Sequence, residues 1–438
     1  MTATYDPADP KYFDPAAVRD ELDRVFDLCH GCRLCFNLCP SFPTMFGFID
    51  DNDGEVSRLT DAQRDQVVDE CYQCKLCYVK CPYVPPHEWE LDFPRLMSRV
   101  HATRVKQGQR LHDRVTDQFL GRTDALGRVS VATAPVVNWA TGTPGSLPRK
   151  VMEKVVGLAS ERLLPPYARQ RFSTWFRKRA RRLPSAPAAG SVSVFPTCFV
   201  EYMDPAVGRD IVTVYEHNGV SCELTPGTKC CGAPWLHSGH VEQFEKQARQ
   251  NVAALAAEVR AGRDVIVAQP TCAYVVKRDY PIYAKGADAD LVAQHTYDPA
   301  EYLMKRHRDE GDPFTLLTEF PGRHDGTVPD RVTYHVACHL QAQNMGLKSR
   351  DLLKVAGVTC SIVQQCSGID GTWGYREENY ELARKVAAPL RRDIDNAGNA
   401  VVCGDCHLAN GSITQETGTR PTYPMQLMAR AYGLPEDA

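Results

Sequence analysis

The sequence predicts a multidomain α+β protein, in which a helical N-terminal domain is followed by two copies of an α/β domain. Helix-start signals in the first hundred residues each lead into a cysteine-rich loop, and from residue 191 short apolar strands alternate with helices in two similar rounds. The length of 438 residues is enough for about three domains. We therefore divide the chain into residues 1–100, 101–190, 191–325 and 326–438.

The N-terminal segment contains two cysteine runs of identical spacing, each closed by proline. In both runs three cysteines are separated by two residues, and a fourth follows after three more residues, immediately before Pro40 or Pro82. This spacing is typical of loops that bind a cubane 4Fe–4S cluster, so two runs predict two clusters and a two-cluster ferredoxin-like domain. The eight cysteines are Cys29, Cys32, Cys35 and Cys39 in the first run, and Cys71, Cys74, Cys77 and Cys81 in the second.

The fourth cysteine of each run lies too near in sequence to reach the cluster that its own triplet holds, and in two-cluster ferredoxins it binds the other cluster. The expected partition is Cys29, Cys32, Cys35 and Cys81 on cluster 1, with Cys71, Cys74, Cys77 and Cys39 on cluster 2. Structural zinc is the alternative, but zinc favours two separated pairs of ligands rather than triplets with an exchanged fourth partner.

Helix-capping patterns precede both runs. Asp14 and Pro15 resemble an N-cap and the first residue of a helix that leads to Cys29. Thr60 with Gln63 forms a capping-box pattern before a helix that leads to the second run. The N-terminal domain is therefore predicted to be helical rather than β-rich.

Composition excludes several classes of function. A net charge of −3 argues against a nucleic-acid binder. The N-terminus has no apolar signal sequence, and no stretch approaches the roughly 18 apolar residues of a membrane span. Eighteen cysteines in a chain without an export signal indicate metal binding rather than disulfides. We expect a cytoplasmic protein.

Residues 101–190 contain no cysteine and are predicted to form a basic linker or helical region. Within 169–182 there are seven lysines and arginines and no acid, interleaved with Phe172, Trp175 and Phe176. One interpretation is a solvated helix whose aromatic side chains anchor it on the core. The other is an interfacial helix that contacts an acidic partner or the inner face of the cell membrane.

The remainder of the chain repeats one pattern. Strands are predicted near 191–195, 220–224 and 264–268 in the first copy, and near 331–337, 358–364 and 399–403 in the second, with a helix at 377–397. Cysteines follow the ends of these strands. Because ligands of open α/β sheets gather at the carboxyl ends of parallel strands, three distant cysteine positions should meet at one edge of each sheet.

These residues resemble the cysteine-rich CCG domain of heterodisulfide reductases and related iron–sulfur oxidoreductases. The family pattern is a cysteine, then Cys-Cys-Gly, then Cys-x-x-Cys, and the resemblance implies an iron–sulfur site in each repeat. Here each copy keeps four thiols, enough for one cubane cluster or one zinc ion. Gln269 stands where the first Cys-x-x-Cys would begin, and Ser367 replaces the second cysteine of the second Cys-Cys-Gly. The expected sets are Cys198, Cys230, Cys231 and Cys272 in the first copy, and Cys338, Cys366, Cys403 and Cys406 in the second.

Other candidate residues have simpler interpretations. Cys222 and Cys360 lie inside predicted strands and are expected to be small buried hydrophobic residues. The haem-attachment pattern at 403–407 requires export, for which the sequence shows no signal. The residues His335, His339 and His407 are expected to be structural hydrogen-bonding groups at strand ends, with a role beside cluster sulfur as the alternative.

The leading functional hypothesis is a non-catalytic iron–sulfur electron-transfer subunit of an oxidoreductase. It would pass electrons from a flavoprotein or similar partner to a quinone, a disulfide or another acceptor, with no catalytic residue of its own. A second hypothesis is a thiol-disulfide reductase acting at the CCG site, which the incomplete motifs disfavour. A third is an electron donor to a peroxide-reducing di-iron protein, for which the acidic N-terminus would be the docking face.

Overall fold

The computed structural model describes residues 5–179, 188–369 and 371–434. It has the predicted architecture, a helical N-terminal region followed by two α/β units with parallel sheets. The carboxyl ends of the central strands are followed by cysteines in both units.

The N-terminal helices pack around an aromatic core that includes Phe26, Phe42 and Phe93. The Asp14 side chain accepts a hydrogen bond from the backbone of Ala16, and Thr60 and Gln63 cap each other reciprocally, so both predicted helix starts are confirmed. The first helix continues beyond its expected end, through Cys29. The fifth continues past the boundary we expected at residue 100. The helices are α1 (Pro15–Cys32), α2 (Ser41–Asp50), α3 (Asp61–Asp69), α4 (Leu76–Lys80) and α5 (Phe93–Gln107).

Five short helices connect the N-terminal region to the first sheet. Two of them have a proline in the first turn, Pro135 in α8 and Pro148 in α9. Proline is favourable there because the backbone N–H groups of the first turn have no acceptor within the helix. The sequence predicts a helix only over 169–182, which contains α10. The bounds of the other four helices were not predicted, because their apolar residues do not form one stripe that faces a core. They are α6 (Leu111–Gly121), α7 (Thr123–Ala132), α8 (Ala134–Thr141), α9 (Leu147–Val156) and α10 (Phe172–Lys178).

The aromatic residues of α10 face the protein core. Phe172 and Phe176 are buried, and the Arg179 guanidinium lies 3.6 Å from the centre of the Phe176 ring while its NH2 is 2.5 Å from Glu216 Oε1. The described part of the basic segment is therefore anchored on the core, in agreement with the first interpretation. Phe172 and Phe176 are covered by protein and cannot be interfacial anchors, and Trp175 is partly buried against the same core. Residues 180–182 of that segment lie outside the described part of the chain.

The first α/β unit has a four-stranded parallel sheet of order β2-β1-β3-β4. Its strands match the predicted positions, except for the short β4, which was not predicted. The strands are β1 (Ser191–Phe195), β2 (Ser221–Leu224), β3 (Asp264–Val267) and β4 (Thr296–Tyr297). The helices are α11 (Cys198–Tyr202), α12 (Pro205–His217), α13 (Ala233–His237), α14 (Val241–Arg260), α15 (Pro270–Tyr274), α16 (Tyr280–Tyr283), α17 (Ala287–Gln294) and α18 (Pro299–His307), with a π-helical turn at Val275–Asp279.

The second unit has a three-stranded parallel sheet of order β6-β5-β7. The strands are β5 (Arg331–His335), β6 (Thr359–Val363) and β7 (Val402–Gly404). The helices are α19 (Pro321–His324), α20 (Cys338–Ala342), α21 (Lys348–Val355), α22 (Tyr380–Ala397), α23 (His407–Thr417) and α24 (Pro424–Ala431). The predicted helix over 377–397 is confirmed apart from its first three residues, which form a 3-10 turn.

The two units share one hydrophobic core. It joins Val194 and Ile266 of the first sheet with Val332 and Tyr334 of the second, and α24 packs against α12 across the boundary. Burial of this kind stabilises each unit only in the presence of the other. The shared core holds the cysteine-bearing edges of the two sheets close together.

Candidate metal centres

The first candidate centre lies in the N-terminal region near the surface. Its cavity is lined by the thiols of Cys29, Cys32, Cys35 and Cys81, with Phe42 and Tyr83 beside them. Burial, and then the neighbouring thiols of this group, raise the pKa of Cys29. The structure therefore brings the fourth cysteine of the second run to the triplet of the first, in the partition expected from the spacing.

The second candidate centre lies deeper in the same region. Cys71, Cys74 and Cys77 are all buried, and the ionisable neighbours that act on Cys77 are Cys74, Cys71, Cys39 and, last, Cys35 of the first centre. Gln73 Nε2 donates a hydrogen bond to Cys71 Sγ at 3.8 Å. Cys39 thus joins the triplet of the other run.

Left-handed backbone turns position the sulfur atoms in both loops. Arg33 in the first loop and Gln73 and Lys75 in the second have positive φ angles of 51°, 59° and 65°. Such conformations cost on the order of 1 to 3 kcal/mol each for non-glycine residues and persist where the surroundings require them. Each of these residues lies between successive cysteines of its run, so the left-handed turns set the path of the chain from one cysteine to the next.

The donor sets fit iron–sulfur clusters. The proposed ligands of each N-terminal centre are four cysteine thiols. Cysteine thiolates are the usual ligands of Fe–S clusters. Tetrahedral zinc would require sulfur atoms about 3.8 Å apart. Within the described ranges, no three or more His, Cys, Asp or Glu side chains are arranged so that they could hold a metal ion. Four thiols supplied as a triplet with an exchanged fourth partner are the ligand set of a two-cluster ferredoxin.

The first CCG repeat gathers its four thiols in its interior. The Cys230 thiol is in hydrogen-bond contact with Cys198 and Cys231, and Cys231 also contacts Cys272. The contact with Cys198 is the main cause that lowers the pKa of Cys230, and the same contact raises the pKa of Cys198. All four cysteines expected in this repeat are brought together.

Backbone hydrogen bonds hold the Cys-Cys-Gly loop in place. Asp124 Oδ2 of α7 accepts from the Cys230 backbone N–H at 2.9 Å, Asn251 Nδ2 donates to the Cys230 carbonyl at 3.0 Å, and Tyr280 Oη donates to the Cys231 carbonyl at 2.9 Å. These residues were not singled out in the sequence, since each is distant from the motif and belongs to no recognisable pattern.

The glycine of this loop is required for two reasons. Gly232 has a φ angle of +91°, which non-glycine residues rarely adopt. A Cβ atom built on it would lie 2.7 Å from a ring carbon of Phe244. The close approach of α14 to the loop therefore depends on the absence of a side chain.

In the second repeat three cysteines follow the ends of neighbouring parallel strands. Cys338 begins α20 after β5, Cys366 lies in the segment after β6, and Cys406 is the N-cap of α23 after β7. Cys366 Sγ accepts a hydrogen bond from the Gly368 N–H at 3.3 Å. The parallel topology places these three positions at one edge of the sheet.

Cys403 lies apart from that edge. It is inside β7, fully buried in the shared core, and the neighbouring ionisable groups that act on it are Asp405 and Cys360. The register explains the difference. Tyr334 of β5 is opposite Cys403, whereas the corresponding residue of β1, Val194, is opposite Ile266.

The alignment of Gln269 with Cys403, expected from the sequence, is therefore corrected by the structure. Gln269 and Cys406 are the N-caps of the equivalent helices α15 and α23, so they are the spatial counterparts. Cys403 takes the position of Ile266, a core aliphatic residue. The sequence pattern matches Gln269 with Cys403, whereas the structure matches it with Cys406, three residues later.

The two repeats meet through Gln269 and His407. Gln269 Oε1 accepts from the His407 backbone N–H at 3.1 Å and lies 2.7 Å from His407 Nδ1, while the His407 ring stacks on Phe199 with centroids 4.2 Å apart. Cys230 of the first repeat is close enough to His407 to act on its pKa. The residue that replaces an expected cysteine thus links the two thiol-bearing edges.

The three histidines form hydrogen bonds at strand ends, as the simpler interpretation predicted; His335 and His339 are buried and His407 is half-buried. His335 Nε2 contacts the Gln365 carbonyl at 3.0 Å, and His339 Nδ1 contacts Thr271 Oγ1 at 3.2 Å. Burial lowers the pKa of His335 to about 4 and that of His407 to about 3. Cys222 is also buried in the core as predicted, whereas Cys360 is only partly buried.

Comparison with known proteins agrees with this organisation. Residues 22–107 match the citrate utilization protein B Fer4-like domain, and residues 192–277 and 332–409 match the cysteine-rich domain named CCG. The chain is 30% identical over 418 residues to a subunit of the anaerobic glycerol-3-phosphate dehydrogenase of Escherichia coli (strain K12), covering 93% of this chain and 99% of the relative.

Two further relatives match more limited regions. A subunit of the fumarate reductase (CoM/CoB) of Methanothermobacter marburgensis is 27% identical over 227 residues, covering 50% of this chain and 41% of the relative. Lactate utilization protein A 1 of Bacillus mycoides is 26% identical over 263 residues, covering 56% of this chain and 97% of the relative.

Together the fold and the thiol sites define an iron–sulfur electron-transfer subunit of an oxidoreductase. The chain belongs to the CCG-domain iron–sulfur oxidoreductase family related to heterodisulfide reductases, which includes the matched subunit of anaerobic glycerol-3-phosphate dehydrogenase. It carries Fe–S clusters and acts with redox partner proteins. The comparisons do not favour the disulfide-reductase or peroxide-related alternatives. None of the helices in the described ranges has the length and apolarity needed to cross a bilayer.

Proposed function

We propose that this chain carries electrons from a flavoprotein dehydrogenase partner through four thiol-bound centres to a quinone at a membrane surface. The observation that supports this route is that the candidate centres lie near one another in a single series. Cys77 of the second N-terminal centre lies near Cys35 of the first, Tyr72 joins the second centre to Cys366, and His407 joins the second repeat to Cys230. When bound, the clusters supply one-electron redox chemistry.

We propose two 4Fe–4S clusters on the eight N-terminal cysteines in the exchanged partition described above. A further cluster is proposed on Cys198, Cys230, Cys231 and Cys272, and another on a set that includes Cys338, Cys366 and Cys406. The protein residues exclude water from these centres, position their ligands and donate hydrogen bonds to sulfur. Those are the means by which a protein sets a cluster potential.

The proposed entry side is the surface around the first N-terminal centre. Cys32 is exposed, and the exposed hydrophobic side chains Leu34, Phe36, Val79 and Trp89 belong to the same region of the chain. An apolar patch beside an accessible thiol suits a redox partner protein that must approach closely. The similarity to a component of glycerol-3-phosphate dehydrogenase suggests a glycerol-3-phosphate-oxidising flavoprotein as that partner.

The proposed exit side is the outer face of α6–α9, which we call the connector face. Among the described residues thirteen large hydrophobic side chains are exposed, and eight of them lie between residues 111 and 155. Twenty consecutive residues, 129–148, carry no charge. The eight are Leu111, Val115, Val129, Val136, Trp139, Leu147, Val151 and Val155.

The pattern on α9 is that of an interfacial helix. Leu147, Val151 and Val155 are spaced four residues apart and therefore share one face, while Lys150 and Lys154 lie beside them. Trp139 is 75% exposed, in a position where tryptophan commonly anchors a protein at a lipid headgroup layer. We propose that the connector face lies on the inner face of the cell membrane. The Asp124 contact places the first CCG repeat next to α7 of the same face.

Metal analysis and spectroscopy test the centres. Protein purified without air should contain about sixteen irons per chain if all four centres are cubane clusters, and about eight if only the N-terminal ones are present. Cys366→Ala should remove one reduced-state EPR signal and its irons while the N-terminal signals remain. A full loss of every signal in this variant would contradict the proposed separation of the centres, and zinc at one or more per chain would contradict a cluster assignment.

Vesicle flotation tests the connector face. Full-length protein should float with vesicles that contain phosphatidylglycerol, and Trp139→Ser combined with Val151→Ser should reduce the floating fraction at least tenfold. Ile362→Ser removes an exposed hydrophobic side chain elsewhere and should float as the wild type does. Wild-type protein that stays unbound would overturn the membrane proposal and leave a protein partner as the occupant of this face.

A further inference from the structure

Tyr72 connects two parts of the chain that are distant in sequence. It directly follows Cys71 in the second cysteine run, and only 2% of its surface is exposed. Its hydroxyl contacts the Cys366 thiol of the second CCG repeat and donates a long hydrogen bond of 3.4 Å to the carbonyl oxygen of Leu38, next to Cys39. One side chain therefore contacts neighbours of the second N-terminal centre and a proposed ligand of the CCG centre.

A second contact holds this arrangement. The Tyr72 ring packs on Trp373 with centroids 5.1 Å apart, and Trp373 Nε1 donates to the carbonyl oxygen of Asp69 at 2.7 Å. Trp373 follows Cys366 in the sequence. Its hydrogen bond to Asp69, at the end of α3, and its ring contact with Tyr72 therefore hold this part of the second repeat against the N-terminal region. The position of the hydroxyl is thus fixed by packing that does not depend on the hydroxyl itself.

We infer that the Tyr72 hydroxyl is a positioning residue, which couples the second N-terminal centre to the Cys366 centre and raises the reduction potential of the latter. This inference rests on the proposed role of Cys366 as a cluster ligand. A phenolic hydroxyl keeps its proton at neutral pH, and Tyr72 can share that proton between the Cys366 sulfur and the carbonyl oxygen of Leu38. A donated hydrogen bond stabilises the more negative, reduced form, and so it favours the arrival of an electron.

The electron balance of the step is simple. One electron leaves the centre held by Cys39, Cys71, Cys74 and Cys77, and one electron arrives at the centre that Cys366 helps to hold. No covalent bond forms or breaks, and Tyr72 keeps its proton. In this inference the second repeat receives the electron first, and His407, which lies near Cys230, connects it to the first repeat.

The test is an EPR-monitored redox titration of the full-length Tyr72→Phe variant. Phenylalanine keeps the ring that packs on Trp373, so the iron content should equal that of the wild type. The midpoint potential of the signal that Cys366→Ala abolishes should be lower than in the wild type by about 59 mV, which corresponds to a tenfold change in the equilibrium constant for one-electron reduction. Freeze-quench reduction should also show a slower appearance of this signal.

Tyr83→Phe is the matched control, because the Tyr83 hydroxyl contacts the thiol of Cys32 at the first N-terminal centre. It should leave the potential of the Cys366-dependent signal unchanged. An unchanged potential and rate in Tyr72→Phe with full iron would overturn the inference, and so would loss of that centre's iron, which would mean a structural role. A wild-type protein without any Cys366-dependent signal would instead overturn the proposed function of Cys366, and with it the role of Tyr72.

Discussion

Replacement of Cys403 by alanine separates a core cysteine from a cluster ligand. Cys403 is fully buried in β7, opposite Tyr334, in the position that Ile266 occupies in the first sheet. Removing one buried heavy atom from such a site resembles an Ile→Val change, which costs about 0.5 to 1.5 kcal/mol. We therefore expect Cys403→Ala to lower the free energy of unfolding by about 1 kcal/mol and to retain all of its iron.

Cys406→Ala is the matched comparison. Cys406 is three residues away and caps α23 at the carboxyl edge of the sheet, where the proposed ligands of the second repeat lie. This variant should lose the iron and the EPR signal of the second CCG centre, about four irons per chain for a cubane. Iron content measured after anaerobic purification, together with urea denaturation of each variant, provides both readouts.

The refuting result is equally specific. If Cys403→Ala loses the same irons and the same signal as Cys406→Ala, Cys403 is a ligand. The register argument from β5 and β7 would then be mistaken. A Cys403→Val variant, which restores an aliphatic side chain like that of Ile266, should also keep its iron, and its loss of iron would have the same meaning.

Two further predictions concern stability. Gly232→Ala should destabilise the protein by about 2 to 5 kcal/mol in urea denaturation, because the new Cβ atom would combine a left-handed backbone with a contact at 2.7 Å to Phe244. The control is Gly227→Ala, which has a φ of +73° and open space around it and should cost only about 1 to 2 kcal/mol. Equal effects of the two substitutions would contradict the packing argument. Burial, with Arg104 nearby, lowers the pKa of His101 to about 4, so this histidine binds a proton in the unfolded chain but not in the folded one between pH 6.5 and 4. Its contribution should make stability fall as pH falls through this window by up to about 1.4 kcal/mol per unit, in addition to the contributions of His335 and His407. His101→Gln should reduce the measured slope by that amount, and an unchanged slope would refute the assignment.

The N-terminal half of the site could be predicted in detail because its geometry is local. Spacings of two and three residues limit which sulfurs can reach a common centre, and the structure places Cys81 and Cys39 with the opposite triplets. Capping residues such as Asp14 and Thr60 also act within one helical turn, so their patterns are legible in the sequence. The strand positions followed from short apolar runs for the same reason.

The tertiary structure alone decided the features that depend on register and on packing between distant segments. The sequence pattern aligns Cys403 with Gln269, but the pairing of β7 with β5 places Cys403 in the core and Cys406 at the edge. The tertiary structure also brings the Tyr72 hydroxyl to Cys366 and leaves the apolar side chains of α9 exposed to solvent. Local propensity carries no information on these contacts, because each is set by how already formed elements bury their surfaces against one another.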